Sequence, residues 1–259
     1  MLAQEKFGVP IYGTMAHSYV QAHHDEREAF AHFASAQPAH SVLLIDTYDT
    51  EAGARKVVEL AATLKAKGLT IRGVRLDSGD LADHARKVRR ILDEGGLRDA
   101  HILASGNLDE YRLQKLIAGE APIDSFAVGT AMTTSADSPS LDCAYKLQEY
   151  AGRPCRKRSE GKATWPGPKQ VYRRYDATGT MVGDVVTLAD APPPGGHPLL
   201  APVMRAGRRL VPPRPLSELR RRAGAAAGAA GRSPREVPAV GKARREGARL
   251  LRERVRRPS

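Results

Sequence analysis

The 259-residue chain holds only two cysteines, Cys143 and Cys155. That is too few for a disulfide framework or a cysteine-based zinc site, and it fits a reducing compartment. Long apolar runs are also lacking: none approaches the ~20 residues that a membrane span needs. The opening residues, MLAQEKFGVP, do not show the basic-then-apolar pattern of a signal peptide. With 27% charged residues and a mean hydropathy of −0.42, the expectation is a soluble, cytoplasmic protein with no membrane partner. Acidic residues are scarce at one end only. Residues 205–259 carry 17 Lys+Arg against 4 Asp+Glu, leaving 24 against 25 in the rest, so the net charge of +12 belongs to the tail. A basic tail points to nucleic acid or an acidic surface, and the balanced body points to neither.

What is present in the first 135 residues is one repeated theme. Short apolar runs, Ser41–Ile45, Thr70–Leu76, His101–Ala104 and Ser125–Val128, each end in small or charged residues. Between them, Glu51–Lys67, Asp80–Gly95 and Leu108–Gly119 carry apolar residues at helical spacing, with glycines where helices stop. Strands alternating with helices predict a parallel sheet faced by helices. Pro10–Thr14 is a further strand candidate, which makes four or five strands, short of a regular eight-stranded barrel. The chain opens in mid-pattern, and we expect an N-terminal part to be missing or supplied elsewhere. Three regions are expected: a partial α/β barrel over 1–144, a β-rich subdomain over 145–212 and a basic, low-complexity tail over 213–259. In the second region Val171–Tyr175 and Val182–Leu188 flank a hairpin turn at Asp176–Gly179. The tail is poor in large apolar residues and is expected to be disordered or marginally helical.

Parallel α/β sheets gather ligands at the carboxyl ends of their strands. Here those ends carry GTMAHS (13–18), DTYD (46–49), RLDSGD (75–80), SGN (105–107) and GT (129–130). His17 is either an incidental residue of a helix-capping segment or a nucleophile or proton carrier, since neutral imidazole attacks well near neutral pH. The other histidines singled out, His23, His24, His32, His40, His84 and His197, read as surface groups. Arg75, Asp77 and Asp80 together suit ribose hydroxyls, a magnesium ion and a phosphate. Alternatively, Asp77 or Ser78 caps the helix starting near Asp80, and Asp80 favours its positive end. Gly106 and Gly129 free backbone N–H groups for phosphate oxygens, and Thr130 adds a hydroxyl.

In this order, GTMAHSYV, LLIDTYDT, GVRLDSGDL, ILASGNLDEYRL and FAVGTAMTTSADSPSLDCAYKLQEYAGRPCRKRSEGKATWPGPKQVYR resemble the nicotinate phosphoribosyltransferases, over roughly Leu2 to Thr187. The resemblance implies an irregular α/β barrel of the type II phosphoribosyltransferase kind with a small β-containing C-terminal subdomain. It implies an enzyme of NAD salvage that joins nicotinate to phosphoribosyl pyrophosphate, giving nicotinate mononucleotide and pyrophosphate, with ATP hydrolysis coupled through a phosphohistidine. Matched residue by residue, His17 is the phosphorylated histidine, Thr14 and Arg75 contact nicotinate, and Asp77 lies near the ribose. Gly129 and Thr130 take the phosphate of phosphoribosyl pyrophosphate, with Ser105 and Gly106 completing the cradle. Ser18, Asp46, Asp49 and Asp80 support these groups. Magnesium enters with the substrate phosphates near Asp77 and Asp80 rather than in a protein cage, and full-length members are expected to be homodimers. Two other readings are weighed against this one. One is another phosphoribosyl-binding barrel, of nicotinamide or quinolinate type, against which GTMAHS followed by DTYDT argues. The other is a nucleic-acid binder acting through the tail, against which the lack of interleaved aromatics argues.

Overall fold

The computed structural model describes residues 2–135 and 143–229. The chain divides into two units, Met1–Trp165 and Pro166–Ser259. This division falls later than the expected 144/145 boundary, because residues 153–162 bond to the strand-end loops and helix of the first unit.

The first unit begins with helix α1 (Leu2–Phe7), followed by irregular chain through residue 16. Pro10–Thr14 is therefore not a strand; its residues up to Gly13 are exposed, with no described strand beside them to pair. Helices α2 (His17–Ala22) and α3 (Glu26–Ala36) follow. A parallel βα series comes next: β1 (Val42–Leu44), α4 (Thr50–Lys65), β2 (Gly73–Leu76), α5 (Leu81–Glu94), β3 (His101–Ser105), α6 (Glu110–Ala118), β4 (Ser125–Ala127) and the short α7 (Thr130–Thr133). The sheet is open, in order β1-β2-β3-β4. Each new strand adds on the same side, as in a barrel, but among the described residues the sheet does not close.

Register explains how the site arises. Leu44, Arg75, Leu103 and Ser125 lie side by side across the sheet. The strands therefore end level, and Asp46, Asp77, Ser105 and Gly129 emerge along one rim. The strands are short and apolar because helices cover them: Leu43, Leu44, Val74, Leu76 and Ile102 are fully buried. Helix α4 buries Thr50, Gly53, Ala54, Val57 and Leu64, the i, i+3, i+4, i+7 stripe of a core-facing helix. Aspartates hold the helix starts. Asp49 accepts from Ala52 N at 2.8 Å, Asp80 from Ala82 N and Asp83 N at 3.1 and 3.0 Å, and Asp109 from Arg112 N at 2.8 Å. Between α3 and α4, the buried Glu26 carboxylate meets Lys56 Nζ at 2.8 Å. Burial pushes the Glu26 carboxyl above its usual range while Lys56 works to lower it.

Beyond β4 the first unit carries the small ladder β5 (Glu149–Tyr150) with β6 (Arg153–Pro154). The second unit contains the predicted hairpin, β7 (Lys169–Tyr175) with β8 (Met181–Leu188), and β9 (His197–Pro198) on the outer side of β7. Asp176 closes the turn by accepting from Thr178 N and Thr180 N, both at 2.9 Å. The pair β10 (Met204–Arg205) and β11 (Arg208–Arg209) precedes helix α8 (Leu216–Ala229). The described part of the basic tail thus takes the helical of the two expected states, as its Ala, Leu and Arg content favours. Its residues 230–259 lie outside the described residues. No described helix is long and apolar enough to cross a membrane.

Candidate functional site

The rim of the parallel sheet holds a continuous hydrogen-bonded set. Arg75 sits on β2 one residue before the strand ends. Its Nε donates to Ser105 Oγ at 3.0 Å, and its Nη1 to Thr14 Oγ1 at 2.9 Å and Met15 O at 3.4 Å. Ser105 Oγ in turn lies 2.7 Å from Asp77 Oδ1. The two residues matched to nicotinate contact, Thr14 and Arg75, are therefore direct partners although 61 positions apart. The guanidinium is aimed by two hydroxyls, the preorganisation that bidentate capture of a carboxylate needs.

His17 opens α2. Its Nδ1 lies 3.0 Å from Thr47 Oγ1, and its Nε2 lies 3.6 Å from Asp77 Oδ2 and 3.9 Å from Asp46 Oδ1. Asp46 is buried. Its Oδ2 accepts from Asp77 N at 3.0 Å and from the Ser78 hydroxyl, whereas its Oδ1, like His17 Nε2, is buried without a hydrogen-bonding partner. Burial opposes the charge on Asp77, but the His17 imidazole facing it at 3.6 Å, the Ser105 hydroxyl and the ammonium of Lys162 outweigh it. The Asp77 carboxyl is held well below the usual carboxylate range.

Beside this set, Asp77, Ser105, Gly106, Asn107, Leu108 and the 127–130 turn line a cavity of about 290 Å³. Gly106, Gly129 and Thr130, the matched phosphate cradle, share it with Asp77 and Ser105. Gly106 has φ +96°, and a Cβ there would collide with the Asp77 carbonyl oxygen. Only glycine lets the loops after β2 and β3 approach so closely.

Other matched residues lie elsewhere. Asp49 and Asp80 are exposed and spend their carboxylates on the α4 and α5 starts. Ser18 is exposed on α2. Residues 136–142 of the long C-terminal motif lie outside the described residues. His84, expected at the surface, is 15% exposed and bridges Glu51 (2.9 Å) and Glu160 (3.6 Å).

A clamp that the sequence did not announce completes the rim. Residues 157–164 return to the strand ends: Arg158 N donates to Thr47 O at 2.8 Å, the Ser159 hydroxyl to Asp46 O, and Lys162 Nζ to Asp77 O at 2.6 Å and Asp77 Oδ2 at 3.2 Å. Lys157 is 2% exposed, and burial lowers its ammonium to about 8, with Asp46 and Asp77 working in the opposite direction. The segment has no helical or strand period, so its one local signal is the group of basic residues, Arg156 to Arg158 and Lys162, around Ser-Glu-Gly.

Ligand atoms of His17, Asp46 and Asp77 lie within 4.8 Å of one another. They do not form a magnesium cage. Both Asp77 oxygens and Asp46 Oδ2 are engaged, Asp80 is away capping, and Lys162 and Arg75 already supply positive charge. Asp46 Oδ1 is the one oxygen of the cluster left for a hard cation, which prefers several.

A guanidinium set by hydroxyls, a histidine between two carboxylates and a glycine-walled cavity, all at the carboxyl ends of parallel strands, define an α/β protein with a small-molecule site at the rim of its sheet. No family model matches the chain. It is 46% identical over 210 residues to nicotinate phosphoribosyltransferase pncB2 of Mycobacterium tuberculosis, covering 81% of this chain and 44% of that protein. It is 38% identical over 196 residues to the Bacillus subtilis nicotinate phosphoribosyltransferase, covering 73% and 40%. The crystal structure of nicotinate phosphoribosyltransferase from Porphyromonas gingivalis shares the fold at TM-score 0.50 and 25% identity, covering 62% of this chain and 46% of that one. The chain belongs to the nicotinate phosphoribosyltransferase family and spans less than half the length of these curated relatives.

Proposed function

We propose that this chain carries the histidine, arginine and phosphate-cradle portion of a cytoplasmic, homodimeric nicotinate phosphoribosyltransferase of NAD salvage. The observation that carries this reading is the hydrogen-bonded path from Thr14 through Arg75 and Ser105 to Asp77, which His17 Nε2 faces at 3.6 Å and which opens on the cavity at Gly106, Gly129 and Thr130.

Arg75 holds the nicotinate carboxylate. The pyridine nitrogen attacks the anomeric carbon of phosphoribosyl pyrophosphate as the bond from that carbon to the pyrophosphate oxygen breaks. Positive charge develops on the ribose, and the Asp77 carboxylate, kept ionised by its surroundings, stabilises it. Gly106, Gly129 and Thr130 seat the 5′-phosphate. Magnesium carried in by the substrate phosphates would supply charge neutralisation for the pyrophosphate. In the coupled half, a His17 nitrogen attacks the γ-phosphorus of ATP, ADP leaves with the broken phosphoanhydride bond, and water later releases phosphate from the imidazole. A guanidinium aimed by two hydroxyls favours the carboxylate of nicotinate over the neutral amide of nicotinamide.

Labelled ATP is expected to place an acid-labile phosphoryl group on His17. Label that survives in His17→Ala would overturn the assignment.

A further inference from the structure

Among the described residues, Lys157 is the one lysine or arginine that is buried. Its backbone is pinned in both directions to Thr164: its N–H donates to Thr164 Oγ1 at 2.9 Å, and its carbonyl accepts from Thr164 N at 3.1 Å. Its ammonium makes no hydrogen bond to any described residue. Asp46 and Asp77 act on this ammonium through their charge, and the adjoining Arg158 and Ser159 bond to Thr47 and Asp46, so the lysine stands beside the acidic pair. The acidic pair's surroundings hold two buried atoms without a hydrogen-bonding partner, His17 Nε2 and Asp46 Oδ1. Two buried unpartnered atoms facing each other at 3.9 Å, with a buried lysine beside them, mark a place prepared for a further charged group.

The charge balance says what that is. A phosphoryl group on His17 brings about two negative charges next to Asp46 and Asp77. Arg75, held by Thr14 and Ser105, is assigned to the nicotinate carboxylate, and Lys162 is bonded to Asp77. Lys157 is the cation of the cluster left uncommitted. The geometry points to Lys157 as the residue that binds the phosphoryl group carried by His17, donating from its ammonium to the phosphoryl oxygens. This deepens the phosphohistidine part of the proposed function and rests on it. It assigns a role to a residue that lies 140 positions from the histidine it serves and belongs to no strand or helix.

The test avoids ATP. Potassium phosphoramidate, a small anionic phosphoryl donor, modifies imidazole nitrogens directly: its P–N bond breaks, ammonia leaves and a new P–N bond forms to the ring. The whole chain is treated, and phosphorylation of His17 and of the exposed His40 is followed by peptide mass spectrometry. Lys157→Met is expected to slow His17 modification about tenfold or more relative to His40, the factor of one charge-assisted hydrogen bond. Lys157→Arg is expected to restore most of it, which a purely structural role would not do. A cooperative urea transition in each variant confirms the fold. Equal His17 rates in wild type and Lys157→Met, or no modification of His17 in the wild type, would overturn the inference. If ATP fails to label His17 while the phosphoramidate rates still separate, the proposed function falls and the role of Lys157 stands.

Discussion

Replacing Asp77 by asparagine preserves shape and removes one charge from the centre of the rim. The wild-type carboxylate is 18% exposed and is met by Ser105 at 2.7 Å, Lys162 at 3.2 Å and His17 at 3.6 Å. These groups overcome burial and hold its pKa below the value of about 3.9 that it has in the unfolded chain. Its contribution to stability is therefore complete above that pH and is lost as pH falls below it. Below about pH 4, each unit of acidification removes up to about 1.4 kcal/mol, because unfolding takes up one proton there. The amide that replaces the carboxyl cannot titrate, so this slope is absent in Asp77→Asn. Near neutral pH the variant is expected to lose about 1.5–3 kcal/mol, the range of a hydrogen bond to a charged group. Urea unfolding followed by far-ultraviolet circular dichroism, from about pH 7 down to about pH 3, measures both quantities. The two stability curves should converge toward acid. A constant offset across that range, or no offset at neutral pH, would refute the account of Asp77 as a carboxylate stabilised by its neighbours.

Lys56→Met should destabilise the fold by about 3–5 kcal/mol, since it strands Glu26 as a buried charge, and Glu26→Gln in the same chain should recover part of the loss. A shift in urea midpoint worth under about 1 kcal/mol would show the pair to be solvated. Gly106→Ala should cost more than about 1 kcal/mol, from the positive φ and the collision with the Asp77 carbonyl. Gly129→Ala, with open space around its added methyl, should leave the midpoint nearly unchanged, and equal effects of the two would remove the close approach from the argument.

The alternation of strands and helices was legible because each βα unit carries its own signals: an apolar run, an aspartate at the helix start, a glycine at its end. The site was legible to the extent that it sits on those units. Arg75, Asp77, Ser105 and Gly106 lie at strand ends and meet through parallel register, His17 opens a helix, and Thr14 reaches Arg75 from irregular chain. The helix-start role weighed for Asp80 is the one its carboxylate fills, and Asp49, assigned a supporting place in the site by resemblance, accepts from the helix start in the same way. His84 looked superficial because its two acidic partners come from other segments. Lys157, Ser159 and Lys162 were out of reach for a different reason. They return to the rim from irregular chain 80 or more positions after Asp77, and no local period announces a contact of that range. The open sheet was anticipated in strand count, but the irregular course of residues 8–16 was not, since Val9 and Ile11 mimic a strand without a neighbour to pair with.

The clamp also makes the rim observable. Its grip on the sheet is polar throughout, running from Arg158 to Lys162, and the chain's sole tryptophan, Trp165, follows directly at 38% exposure. Any ligand that reorders the Asp77 carbonyl or carboxylate pulls on the backbone leading to that indole, so the molecule carries its own optical gauge of events at the rim, readable as tryptophan emission without a label.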